Sequence, residues 1–506
     1  MAVDVPPALP PAPVPVNEIR QAASGDIIDT RFGDVQLRID SGGLLDASAV
    51  DKAIEGATDL STAVRLIARA AYIAGYPGAR LVYARDGNTV WLRLRPAVID
   101  GARAPEPLND YFRTMNGGPL RAGELEPRRA LASVHADRAG REYQARVMPN
   151  AGGGASLEVR ETGVSDRNAD SYIEIGNPGN RFVGRHFVDG LIRRGFASGN
   201  EFTGFARFAM TAWNDEEDTD LNELLLIGSR VTRFGIFGLG WHRVGYDLRV
   251  AGTPISSEIR EAELNWLYPM FSDFASRTTV RAKAERTRKE THTDEDGQLV
   301  QRELYTSIEV GFGYTRTVLL GNGRIEFEAD LAYKQGLGDD DEPLTEADLG
   351  YSLSRPALRV RCITESGHAW TLEYAGQFSS DPVPEQQQFV LGGVGNLYAS
   401  LPGLAVGDSG GIARLQWVPG ARRWKAVTGR LKLFAEHGYA RFETRRAGRD
   451  NRQRSQSDIG LELSGEFPGG LTLSLAHATV ISESGIDEQT AREAGADFYF
   501  RLRKRF

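Results

Sequence analysis

Apolar and polar positions along the chain change their period near residue 165. Before that point, helical periods stand among short alternating runs. Val35, Leu37 and Ile39 alternate as in a half-buried strand. Asp46 to Glu55 and Asp59 to Ala74 then carry helical spacing. In the second, Ala63, Leu66, Ile67, Ala70 and Ala71 share a face, Asp59 and Ser61 can cap the start, and Gly75 stands where a terminal glycine belongs. Ala79 to Ala84 and Thr89 to Leu94 alternate around the turn Asp86-Gly87-Asn88, giving the order strand, helix, helix, strand, strand. Val98 to Glu161 repeats this less clearly, with a helix over Glu126 to Ala136 and a hairpin of Tyr143 to Met148 and Ser156 to Arg160 around the loop Asn150 to Gly154. Ahead of both, Pro6, Pro7, Pro10, Pro11, Pro13 and Pro15 predict an extended, polyproline-like spacer. The expected divisions are a Pro-rich linker over 1–26, a small α+β unit over 27–97, a degenerate second copy over 98–164 and an all-β part over 165–506.

From about Ser165 no long helical period appears. Alternating runs separated by Gly, Asn, Asp and Pro continue to the last residue, among them Leu221 to Ile227, Ser307 to Arg316, Arg324 to Tyr333, Gly429 to Glu436, Asp458 to Phe467 and Leu471 to Val480. Such a series builds a sandwich or a barrel. The final run separates the two: Phe498, Phe500, Leu502 and Phe506 share one face, while Tyr499, Arg501, Arg503 and Arg505 share the other. A bare aromatic face opposite a cationic one suits a barrel wall between lipid and water, with Lys504 near headgroup level. The charged stretches Asp215 to Asp220, Arg286 to Gln301, Asp339 to Glu346 and Arg445 to Arg454 read as water-facing loops.

Composition narrows the function classes. Glycine is 57 of 506 residues, about 11% against a usual ~7%. The single cysteine, Cys362, forbids an internal disulfide and a cysteine-based metal cluster. A net charge of −8 argues against nucleic-acid binding through a basic surface. No run of ~18 apolar residues exists, so a transmembrane helix is excluded, whereas alternating strands cross lipid even at a negative mean hydropathy. No basic patch followed by an apolar core opens the chain; an exported protein needs such a leader, so the numbering is expected to begin after a removed signal, with Met1 added. Seven histidines lie scattered without paired spacing, so no metal site is expected. Gly407-Asp408-Ser409-Gly410-Gly411 reproduces the surroundings of a serine-protease nucleophile, but neither His242 nor His368 stands in a matching context. No catalytic residue and no cofactor is expected.

Three segments carry a family resemblance. The strand-helix-helix-strand-strand order, with Ala74-Gly75-Tyr76-Pro77 at the turn into its next strand, resembles a polypeptide-transport-associated (POTRA) domain. Tyr172 to Gly184, YIEIGNPGNRFVG, is similar to a barrel-entry pattern, and Phe378 to Gly411 resembles the strand and long inward-folding sixth loop of the outer-membrane assembly-factor superfamily. Within that loop, Gly392, Gly393, Gly395, Gly403, Gly407 and Gly410 would allow positive φ and close backbone approach. The chain as a whole resembles the two-partner secretion transporters of the haemolysin-activator type. That resemblance implies a mostly-β fold: a transmembrane antiparallel barrel of about 16 strands preceded by one or two α+β POTRA domains. Residues 165–506, 342 in all, leave roughly 21 per strand, which suffices.

Two departures stand where the family's loop tip docks on the wall. Its Val-Arg-Gly-Tyr-like tetrapeptide is here Leu397-Tyr398-Ala399-Ser400, and the aspartate of its Phe-x-Asp-x-Gly strand is Glu436 in Phe434-Ala435-Glu436-His437-Gly438. Alternation sends Lys432, Phe434 and Glu436 to the lumen and Leu431, Leu433 and Ala435 to lipid. Tyr398 is then expected to donate its hydroxyl to Glu436; the alternative is that Tyr398 packs and Glu436 pairs with a lumen arginine. The candidate loop and dock residues are Gly392, Gly393, Gly395, Tyr398, Gly403, Asp408, Phe434 and Glu436. The resemblance implies capture of an unfolded, secreted exoprotein in the periplasm and its passage through an outer-membrane barrel, with lipid and the barrel-assembly machinery as further partners and a monomeric state. The rival expectation is a factor that inserts other barrels, or a surface-protein anchor.

Overall fold

The computed structural model describes residues 3–4, 8–21, 27–150, 154–166, 168–180, 182–210, 220–250, 253–293, 296–338, 344–443 and 452–506. The N-terminal part holds β1 (Val3–Asp4), β2 (Ala12–Pro13), α1 (Val16–Gln21), β3 (Ile27–Phe32), β4 (Val35–Asp40), α2 (Ala47–Glu55), α3 (Leu60–Ile73), β5 (Arg80–Asp86) and β6 (Thr89–Arg95). A second group follows: β7 (Ile99–Arg103), α4 (Asn109–Phe112), α5 (Ala122–Ala139), β8 (Arg141–Pro149) and β9 (Ala155–Val164). Two POTRA-like α+β layers result, with sheet orders β2-β5-β6-β4-β3 and β1-β8-β9-β7.

Local chemistry explains the first layer. Asp59 caps α3 by accepting from Thr62 N at 2.9 Å, and Asp46 caps α2 by accepting from Ala49 N at 2.7 Å. Val64, Ile67 and Ala71 of α3 and Val50 of α2 are buried against Leu37, Ile39, Leu81 and Leu92 of the sheet. The sequence reading missed β3, the partner of β4, and also β7 and α4. In the second layer α5 is buried on two sides, which explains its weak pattern. Leu125, Leu131 and Ala132 enter the core with Phe112 and Leu157, while Glu126, Arg129, His135 and Arg138 are buried too.

The proline-rich segment is more than a spacer. Ala12 and Pro13 lie parallel to Val82 and Tyr83 of β5, and Val14 N donates to Tyr83 O at 2.9 Å. Val3 and Asp4 pair in the same sense with Tyr143 and Gln144 of β8. Between β2 and β3, α1 buries Ile19, and Arg93 donates to the carbonyls of Glu18 and Ile19. Proline withdraws donors from a strand but is tolerated at a sheet edge, where half the backbone groups face outward. The segment therefore borders both sheets.

The barrel begins with β10 (Ala169–Gly176), β11 (Phe187–Gly195), β12 (Asn200–Ala209), β13 (Asp220–Thr232), β14 (Gly235–Val250) and β15 (Thr253–Ser272). It continues through β16 (Ser276–Thr293), β17 (Leu299–Leu320), β18 (Gly323–Gly338), β19 (Ser352–Thr364) and β20 (Ala369–Ser379). After the short strands β21 (Phe389–Leu391) and β22 (Ala405–Gly407) come β23 (Ser409–Val418), β24 (Ala421–Trp424), β25 (Val427–Arg441), β26 (Arg454–Phe467) and β27 (Leu471–Ser484). Helix α6 (Glu488–Ala494) precedes the last strand, β28 (Phe498–Arg505). β23 and β24 both pair with β25 and act as one interrupted strand, so the closed antiparallel barrel has sixteen. β28 closes on β10, from Tyr172 opposite Arg505 to Gly176 opposite Arg501.

Alternation sorts the two faces of the wall. In β17, Tyr305 and Ser307 are buried while Ile308, Val310 and Phe312 are exposed outward. Phe498 and Leu502 of β28 and Phe506 just beyond it are exposed, whereas Tyr499 is buried. An outward apolar band around a polar interior is what a barrel presents to lipid. One of the charged stretches, Arg286 to Gln301, departs from the loop expected, while Leu344 to Glu346 lies outside the strands. Arg286 to Thr293 belongs to β16 and Leu299 to Gln301 to β17, so the strands run on past the apolar band. Residues 215–219, 339–343 and 445–451 lie outside those described.

The second α+β layer sits against the near rim of the barrel through α5. Arg138 donates to Gly199 O at 2.8 Å and to Ser229 Oγ at 2.8 Å. His135 places Nε2 2.9 Å from Ala197 O and Nδ1 2.9 Å from the Tyr111 hydroxyl. Neutral imidazole satisfies both, donating from Nε2 and accepting at Nδ1. Burial, with Arg138 and Arg230 nearby, holds this imidazole below its ordinary range. An undocked His135 binds its proton near pH ~6.5, above the docked value, so the joint is at full strength above that pH and weakens as pH falls below it. Hydrogen exchange of residues 122–139 is expected to accelerate between pH ~7.5 and ~5.5 beyond the intrinsic pH effect, and His135→Gln to remove that excess.

Candidate functional site: the inward loop and its dock

Residues 380–408 leave β20 at the far rim, fold into the lumen and return to β23. Their arms form a small hairpin, with Phe389 opposite Gly407 and Leu391 opposite Ala405. The turn beyond it demands glycine. Gly392 and Gly393 hold φ near +100°, and a Cβ on Gly392 would lie 2.0 Å from Leu401 O. Gly395 and Gly403 also hold positive φ. Gly407 and Gly410 do not; they are needed for close approach, since a Cβ there would meet Arg441 and Phe389.

The tip docks on β23, β25, β26 and β28. Tyr398 N donates to Glu436 Oε2 at 2.9 Å, and Ala399 N donates to Asp458 Oδ2 at 2.8 Å. Ser400 Oγ lies 3.1 Å from Gln456 Oε1, and Tyr499 donates its hydroxyl to Ser400 O at 2.7 Å. Arg414 pairs through Nε with Glu436 and donates from Nη2 to Asn396 O at 3.0 Å. Tyr398 packs 4.6 Å from Phe434 and edge-on to Tyr499. All of this is buried: Tyr398 and Glu436 are each 4% exposed and Asp458 is 0%.

The expected Tyr398 hydroxyl bond to Glu436 is absent. The hydroxyl donates instead to Glu462 Oε2 at 3.1 Å and lies 3.3 Å from Lys432 Nζ, which pairs with Glu462. The tip turns its backbone, not its ring, toward Glu436, and that carboxylate pairs with a lumen arginine. The arginine stands on the wall rather than on the loop. Register brings the charges together, because Arg414 lies opposite Glu436 and Glu436 opposite Asp458. The two adjacent carboxyl groups are held by Arg414, paired with Glu436, and by the two backbone donors of the tip.

Of the residues singled out from sequence, Tyr398, Phe434 and Glu436 meet at the dock. Asp408 does not; it stays at the loop base, fully buried, accepting from Val383 N at 2.9 Å and Glu443 N at 2.8 Å. Gly403 lies against the Phe182 ring. Phe498, Phe500 and Leu502 belong to the closing strand, with Phe506 the residue after it, rather than to the dock. Arg414, Asp458, Gln456 and Glu462 were missed, and alternation alone could have placed them on the lumen face without saying which residues they meet. The segment between β27 and β28 covers the tip: Leu401 N donates to Ala494 O at 2.7 Å and Ala496 N to Ala399 O at 3.1 Å.

No protein-family profile and no curated protein matches this sequence. Solved structures do share its fold. CdiB from Escherichia coli is similar with a TM-score of 0.70 at 13% identity, covering 96% of this chain and 92% of that one. CdiB from Acinetobacter baumannii gives 0.64 at 12% identity, over 89% of this chain and 82% of that one. At such identities the likeness concerns the fold: POTRA-like layers leading into a sixteen-stranded barrel of the outer-membrane type, as the sequence resemblance implied.

Proposed function

We propose that this chain is an outer-membrane translocator that takes an unfolded exoprotein in the periplasm and passes it outward through its barrel. The carrying observation is the lumen loop, held across the pore by non-covalent polar contacts to buried wall charges, which is the construction of a plug that can be withdrawn. The N-terminal layers at the near rim would face the periplasm. An extended substrate can add a strand to a free sheet edge, and the sheet orders leave β3 and β7 as the outer strands not contributed by the proline-rich segment. Among the described residues no chemistry beyond binding and gating is called on, and folding of the cargo outside would supply the driving force.

The test is export of a candidate cargo from cells with and without this barrel, read by protease access at the cell surface. Cargo trapped in the periplasm only when the barrel is missing, with other barrels assembling normally, supports translocation. Unchanged export with failed insertion of other barrels supports the assembly role instead.

A further inference from the structure

The inward loop meets the wall twice, on separate arcs of the barrel. Ahead of the tip, the turn Glu385–Gln387 is set into a socket formed by β16 to β20. Gln387 Oε1 accepts from Lys334 Nζ at 2.9 Å and from Arg355 Nη2 at 2.9 Å. Its Nε2 lies 3.4 Å from the Tyr305 hydroxyl, its backbone carbonyl accepts from Gln377, and Lys289 pairs with Glu385. Gln387 is 4% exposed, and Val383 beside it is buried with Tyr305, Tyr351 and Leu353.

We propose that Gln387 is the fulcrum of the loop: it holds the root to β17–β20 while the tip leaves Glu436 and Asp458. Two features separate root from tip. The first is stiffness. From Gln377 to Leu391 the chain has no glycine and carries Pro382 and Pro384, whereas the tip is bracketed by Gly392, Gly393, Gly395 and Gly403, all at positive φ. Backbone rotation in a swing is absorbed where φ is free, so the hinge lies beyond residue 391. The second is charge. Lys334 is already paired with Glu285 at 2.9 Å and Arg355 with Glu309 at 3.3 Å, so Gln387 adds a neutral acceptor to compensated cations. The tip docks through backbone N–H groups, Tyr398 N on Glu436 and Ala399 N on Asp458, at 2.9 and 2.8 Å. The root is thus held by two cations fixed to the wall, and the tip by two backbone N–H donors that rotate with its own glycine-bracketed turn. Gln387 is a positioning residue, and its role rests on reading the loop as a gate.

Hydrogen exchange read by mass spectrometry on the full chain in lipid nanodiscs tests this without any cargo. Peptides within 381–391 report the root and those within 394–403 the tip. In the native chain the tip is expected to exchange about tenfold or more faster than the root, after correction for intrinsic rates. Glu436→Gln should speed the tip alone. Gln387→Ala should speed both by about tenfold or more, because it removes two charge-assisted bonds. Gln387→Glu, which keeps an acceptor for Lys334 and Arg355, should leave the root at or below its native rate, and it carries the test if the alanine variant folds poorly. Root and tip exchanging at one rate and responding together to Glu436→Gln would overturn the fulcrum, as would a tip indifferent to Gln387→Ala. Failed export alongside the expected exchange pattern would count against the transport reading alone.

Discussion

Arg414→Ala is expected to release the loop tip and raise the frequency of channel openings by roughly a hundredfold in planar bilayers. The arginine side chain is 11% exposed and that of Glu436 is 0%, so the pair is shielded from water. Removing one partner of a buried ion pair costs about 3–5 kcal/mol, and the lower end applies here because lumen water can reach the stranded carboxylates once the tip moves. About 3 kcal/mol is roughly a hundredfold in the closed-to-open ratio. Without Arg414, Glu436 and Asp458 face each other with only backbone donors between them and the tip. Arg414→Lys should fall between, since a single ammonium does not reproduce a fork that meets both Asn396 O and Glu436. Openings at the native frequency in Arg414→Ala would show that the tip contact does not control the pore.

Gly176→Val is expected to stop most of the chain from closing its barrel. The seam between β10 and β28 has five register pairs, against eight between β10 and β11. A Cβ on Gly176 would stand 2.6 Å from Phe500 O, a backbone atom of the facing strand that can yield only by shifting the seam. Gly190→Val supplies the control, because a Cβ there meets nothing within 4 Å. The readout is the heat-dependent mobility shift of folded barrels on electrophoresis. It should be mostly lost for Gly176→Val and kept for Gly190→Val; retention in both would mean that the seam tolerates displacement.

What could be read from the sequence divides by range of interaction. The period of Ala63, Ile67 and Ala71, the cap Asp59 and the alternation of Phe498, Tyr499 and Phe500 are local, and each was legible. Lumen placement of Phe434 and Glu436 was legible for the same reason, since a strand's two faces follow from parity. The partners of Glu436 were not. That Arg414 and Asp458 lie beside it depends on registers between strands about twenty residues apart, which parity does not fix. The Tyr398 partner is not legible, because the path of a glycine-rich turn, not the identity of the residue, decides whether backbone or hydroxyl faces the wall. Helix α5 has a weak pattern because its outer face is polar and buried against the barrel, and the pairing of the proline-rich segment leaves no periodic trace because it is made at sheet edges.

Under the proposed function, the loop tip must leave its dock for cargo to pass. With Cys362 replaced by serine, Ser400→Cys and Gln456→Cys can be joined by a short, reducible thiol cross-linker across a native contact of 3.1 Å. Export of cargo to the cell surface is then the direct measurement. It is predicted to stop when the tip is joined to β26 and to resume when the link is reduced; undiminished export with the link intact would contradict a gate at this loop.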